Sequence, residues 1–89
     1  MAYGRDTCVR NRQGLHLRPI SVLVQAASAY VAQLSVCVED KRVDARDPFG
    51  LMLLAAPQDT KIRIEGDGPD EREAVDAIVL LFEKGFEDE

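Results

Sequence analysis

Residues 14–28 read Gly14-Leu15-His16-Leu17-Arg18-Pro19-Ile20-Ser21-Val22-Leu23-Val24-Gln25-Ala26-Ala27-Ser28, and the architecture turns on them. Ile20, Leu23, Val24 and Ala27, continued by Val31, recur at the spacing of one helix face, which predicts a helix from about His16 to Ala32. Pro19 suits the first turn, where its missing N–H costs no intrahelical bond. Gly14 marks a turn just before it. On either side the period changes from helical to alternating. Thr7 to Asn11 reads as a first strand, and Leu34 to Val38 as a second, with Leu34, Val36 and Val38 on one face.

The pattern continues outward to the C-terminus. Glu39-Asp40-Lys41-Arg42 supplies a polar turn, and Val43 to Ala45 returns as a short strand. Asp47-Pro48 is a helix-start signal, an N-cap acceptor followed by proline at the first helical position. Phe49 to Ala56 then forms a short apolar helix that stops before Pro57. Thr60 to Glu65 alternates, with Ile62 and Ile64 pointing inward. Pro69-Asp70-Glu71 opens a last helix with acids in its first turn, as the helix dipole favours. Ala74, Ala77, Ile78, Leu81 and Phe82 form its expected buried stripe, and Gly85 its stop. The order β-α-β-β-α-β-α, with alternating strands, implies an α+β fold. It is an open-faced sandwich: a four-stranded antiparallel sheet with one wet face, the other covered by three helices.

Eighty-nine residues, nearly half of them apolar, are expected to form one domain spanning 1–89. No apolar run is long enough to span a membrane, and Met1 to Thr7 shows no secretory h-region, so a cytoplasmic protein without membrane insertion is expected. Cys8 and Cys37 could bridge, but both fall in strand-like segments, and in a reducing compartment free thiols are expected. With one histidine, no CxxC and no Gly-rich nucleotide loop, neither a metal site nor a cofactor is expected. Charge is unevenly spread. Residues 1–64 carry nine basic and six acidic side chains, whereas residues 65–89 carry two basic and ten acidic, ending in the tail Glu87–Glu89. That acidic end argues against nucleic acid as a partner. The basic residues Arg10, Arg12 and Arg18 gather near the histidine, so this half suits an anion or an acidic partner.

His16 stands where a loop turns into a helix. The first-turn N–H groups of Leu17 and Arg18 have no carbonyl within the helix, and with the dipole they favour an anion beyond its end. The same field favours the neutral, nucleophilic imidazole. Once the ring carries a phosphoryl group, those N–H groups and the Arg18 guanidinium can hold its oxygens. The residues alone leave another role open: a histidine here can be a cap or a surface residue, and Arg18 a carboxylate's partner.

Gly14-Leu15-His16, followed one residue later by Arg18-Pro19 in a β-α-β-β-α-β-α chain, resembles the active-site signature of the HPr family. These are phosphocarriers of the bacterial phosphoenolpyruvate-dependent phosphotransferase system. The likeness extends over nearly the whole chain, including Val22-Leu23-Val24-Gln25-Ala26-Ala27-Ser28. It implies that His16 is phosphorylated at Nδ1 by enzyme I and donates to a IIA component of an enzyme II, as a carrier and not a stand-alone catalyst, working as a monomer. It implies that Arg18 contacts the phosphoryl group and that Leu17, Phe49 and Met52 form a docking surface, although Phe49 and Met52 could equally be core. Gln13 sits where a short polar side chain often contacts the phosphoryl group. Asp47 replaces the serine that a dedicated kinase phosphorylates in many relatives, so that switch is expected to be absent. A carboxylate there supplies part of a phosphoserine's charge permanently, or serves only as an N-cap. A rival reading keeps the fold and His16 but signals by phosphorylation state in a nitrogen- or carbon-regulation branch.

Overall fold

The computed structural model describes residues 2–87; Met1, and Asp88 and Glu89 of the acidic tail, lie outside them. The elements are β1 (Tyr3–Cys8), α1 (Leu17–Ala27), β2 (Gln33–Val38), β3 (Lys41–Asp44), α2 (Pro48–Leu54), β4 (Lys61–Asp67) and α3 (Glu71–Glu83), closed by a 3-10 turn at Gly85–Glu87. The strands form one sheet in the order β1-β4-β2-β3, every pair antiparallel. The expected α+β open-faced sandwich is what the chain adopts. Alternation sorts the sheet's side chains. Leu34, Val36, Ile62 and Ile64 lie buried under the helices, together with Ile20 and Leu23 of α1, Leu51 of α2 and Ile78 and Phe82 of α3.

The open face carries an ion-pair lattice. Arg63 reaches Asp6 on β1 at 3.1 Å and Glu65 along its own strand at 3.0 Å, and Arg42 on β3 also donates to Glu65. Cys8 and Cys37 are both free thiols, on the strands flanking β4 and paired in register with Lys61 and Arg63. Partial burial pushes the Cys37 thiol up, and nearby Glu65 adds to this.

Several boundaries differ from those the sequence suggests, most of them for a reason visible in the fold. The first strand is Tyr3–Cys8, not Thr7–Asn11. It is an edge strand whose inward residues are polar and tied to α3: Tyr3 Oη and Arg5 donate to Asp76, and Thr7 Oγ1 to Glu83. That hides its period. Only Val9, just beyond it, enters the core.

Helix α1 ends at Ala27, not Ala32, and Val31 is 75% exposed instead of joining the buried stripe. There the Asp70 carboxylate accepts the N–H groups of Val31 (2.9 Å) and Ala32 (2.8 Å), drawing the chain out of the helix. β3 starts at Lys41, two residues before Val43, because the turn needs only Glu39 and Asp40, with Glu39 at φ 55°. α2 stops at Leu54, two residues short of Ala56, where Ala55 takes φ 48°. Asp47 is its N-cap residue, yet its carboxylate makes no capping hydrogen bond; the main-chain oxygen alone accepts, from Leu51.

β4 is Lys61–Asp67 and not Thr60–Glu65. On α3 the fully buried residues are Ala74, Val75, Ile78, Val79 and Phe82, while Ala77 and Leu81 are only partly buried. The helix lies across β1 and β4 together, so its buried arc turns by one residue from the predicted stripe. Gly85 follows α3 with φ 60°, the stop expected of it.

Candidate functional site

The segment between β1 and α1 is fastened around Gly14 by a set of hydrogen bonds. Asn11 turns it: its main-chain oxygen accepts from the Gly14 N–H at 3.1 Å, and its side-chain Nδ2 donates back to the Gly14 carbonyl at 2.6 Å. The His16 N–H hangs on the same carbonyl at 3.0 Å. Leu15, buried, donates its N–H to Ala56 O at 2.8 Å, joining the loop to the connection after α2. Gly14 has φ 74°, and a Cβ on it would lie 2.4 Å from that Ala56 oxygen. Only glycine meets both conditions.

His16 is therefore delivered as the N-cap residue of α1. Its backbone is extended (φ −108°, ψ −169°), its carbonyl accepts the first helical bond, from Ile20 at 3.0 Å, and its side chain makes no capping bond. His16 as a residue is half-buried. Pro19 is buried in the first turn and has no N–H, so Leu17 and Arg18 supply the amide donors that a helix of this length leaves without internal carbonyls. Arg18 is exposed, and no carboxylate among the described residues pairs with it. Imidazole, two outward amides and a guanidinium thus meet at one helix end. This set can receive a tetrahedral anion on the ring and share out its charge.

Two of the three arginines near His16 remain for such a role. Arg10 is withdrawn, its guanidinium paired to Glu83 at 3.0 Å and its carbonyl held by Gln58 Nε2 at 3.0 Å. The Thr7 hydroxyl and then Arg10 hold the Glu83 carboxyl below its ordinary range. Arg12 and Gln13 are exposed in the turn preceding Gly14.

Leu17, Phe49 and Met52 are 69%, 75% and 49% exposed, so they lie on the surface and not in the core. α1 and α2 pack together, which puts these apolar side chains on neighbouring elements. Leu53, 81% exposed, extends the patch, and sequence reading passed over it. An apolar run such as Leu51-Met52-Leu53-Leu54 does not reveal which members a short helix turns outward. Asp47 is exposed at the start of α2, its Oδ2 lying 2.8 Å from where a Cβ on Gly50 would stand. Asn11 and Ala56 were also missed: a turn asparagine and a small loop residue carry no signal of what they hold. Among the described residues no helix is long and apolar enough to cross a membrane.

The family described as "PTS HPr component phosphorylation site" matches residues 4–84 of this chain. The phosphocarrier protein HPr of Cupriavidus necator is 40% identical over 82 residues, covering 92% of each chain. The phosphocarrier protein NPr of Proteus mirabilis is 32% identical over 90 residues, covering all of both. Among solved structures, an HPr from Thermoanaerobacter tengcongensis superposes with a TM-score of 0.92 at 34% identity, covering 98% of each chain.

Proposed function

Since the chain belongs to the HPr family, the phosphocarriers of the phosphotransferase system, we propose that His16 is its phosphoryl acceptor and that the partners are enzyme I and a IIA component. In this reading Nδ1 of the neutral ring attacks the phosphorus in line. The new N–P bond forms as the bond to the donor breaks, through a loose transition state whose charge sits on the equatorial oxygens. The Leu17 and Arg18 N–H groups and the Arg18 guanidinium receive those oxygens, and Gln13 reaches them from the preceding turn. No further acid or base is needed, because phosphoryl leaves one protein nucleophile for another. Leu17, Phe49 and Met52 supply the apolar contact that aligns the partner. The carrier works as a monomer in the cytoplasm.

The supporting observation is the placement of His16, half-buried as N-cap of α1, with an exposed Arg18 two residues on. Incubation with enzyme I, magnesium and phosphoenolpyruvate should add about 80 Da, one phosphoryl group. The adduct should be acid-labile and absent from His16→Ala. Failure with the cognate enzyme I would reject the reading.

The full-length likeness to an NPr keeps a regulatory branch in view as the second reading. There Asp47, exposed at the start of α2, holds a permanent charge near the docking surface. An Asp47→Ser protein that exchanges phosphoryl with enzyme I at the unchanged rate would remove that role from Asp47.

A further inference from the structure

Asn11 is the one polar side chain that the fold buries among the described residues, at 4% exposure. Half of its capacity goes unused. Nδ2 donates to Gly14 O, but Oδ1, also sealed inside, has no hydrogen-bond partner among the described residues. The amide cannot simply turn over, since that would press its oxygen against the Gly14 carbonyl. Stability alone does not explain such a residue, because an unpaired buried oxygen is a cost that an apolar side chain of similar size avoids.

What Asn11 does is local. It grips Gly14 from both sides, accepting from its N–H and donating to its carbonyl, and that carbonyl also holds the His16 N–H. A second anchor of this loop is the Ala56 carbonyl, which accepts from the Leu15 N–H. We infer that Asn11 is a positioning residue for His16, its amide fixing the Gly14 peptide and thereby the backbone from which the imidazole projects. The inference rests on the reading of His16 as phosphoryl acceptor and names what aims it. Asn11 touches no reacting atom. Its effect is to hold the ring in line with the entering phosphorus, and small misplacements there are costly in rate.

Two variants and a matched control test this. Asn11→Ala removes the donor; Asn11→Asp keeps the shape and sets a carboxylate against the Gly14 carbonyl. Val79→Ala, at a buried position of α3, serves as a variant that loses core packing while leaving the Asn11 side chain and Gly14 unchanged. Phosphorylation by enzyme I and the backbone amide NMR signals of Leu15, His16, Leu17 and Arg18 are recorded at a temperature where all four proteins are folded. Both Asn11 variants should shift those signals and accept phosphoryl at least about tenfold more slowly than wild type and Val79→Ala. Unshifted loop signals, or a rate within about twofold of the Val79→Ala control, would overturn the inference. If wild type itself gains no phosphoryl on His16, it is the functional reading that fails. The loop signals of the unphosphorylated variants still decide whether Asn11 sets the backbone.

Discussion

Gly14 holds φ 74° with the Ala56 carbonyl packed where a Cβ would stand, so the residue is constrained by its backbone and by its surroundings at once. Gly14→Ala should destabilise the protein by at least about 2 kcal/mol, read as a lower denaturation midpoint, and should slow phosphoryl acceptance because the loop must shift. Ala55, at the end of α2, shows the opposite case. It is exposed and carries φ 48°, ψ 44°, a conformation that costs any residue with a Cβ. Ala55→Gly should therefore raise the midpoint, by about 0.5 kcal/mol net of the added unfolded-state entropy. Arg18 differs from both, since it is exposed and pairs with no carboxylate among the described residues. Arg18→Ala should leave stability within about 0.5 kcal/mol. Under the proposed function its phosphoryl transfer should fall about tenfold or more, because that reading makes Arg18 a charged donor to the moving oxygens.

At the scale of elements, α2 divides its labour between two faces. It has seven residues, too few to persist alone. Leu51 and Leu54, buried, pin it to the core, whereas Phe49, Met52 and Leu53 face outward. Leu51→Ala should cost about 2–4 kcal/mol in a denaturant titration. Phe49→Ala should cost less than about 0.5 kcal/mol yet raise the KM for enzyme I in a transfer assay. An unchanged KM would remove Phe49 from the proposed docking surface. The same division explains what sequence reading could see. Spacing announced a helix after Asp47-Pro48 but not which of Leu51, Met52, Leu53 and Leu54 would turn inward, since all are apolar. α1 shows the complementary case: Ile20, Leu23 and Ala27 were legible because they form its buried stripe. Its end was not, because the Asp70 carboxylate that draws out Val31 and Ala32 lies 39 and 38 residues further along the chain.

At the scale of the molecule, three carboxylates among the described residues are held below their ordinary range: Glu65 chiefly by the Arg42 hydrogen bond, Asp70 by the Val31 N–H, and Glu83 by the Thr7 hydroxyl. They join β3 to β4, α3 to the segment before β2, and α3 to β1. Each binds a proton less readily folded than unfolded. The stability they contribute is therefore complete above the unfolded carboxylate range, near pH 4 by usual values, and is lost as pH falls through their lowered folded values. The thermal midpoint should hold steady from neutral pH down to about pH 5 and then decline. Asp70→Asn should soften that decline, whereas a midpoint that rises on acidification would contradict the assignment.

By itself the sequence determined the alternation of strands and helices, the residues of β2 and β4 that line the sheet's inner face, and the Gly14-Leu15-His16 and Arg18-Pro19 motif at a helix start. Those properties are set by spacing within a few residues, where backbone periodicity and the φ demands of glycine and proline act directly. Only the tertiary structure decided that Arg10 is tied to Glu83, that Asn11 is buried against Gly14, and that Phe49 and Met52 lie outside the core. The first of these joins residues 73 apart in the chain, and the others depend on which surfaces remain once α1, α2 and α3 have covered the sheet. A one-dimensional pattern records what each side chain could bury or bond; which partner it meets is fixed only when the chain closes on itself.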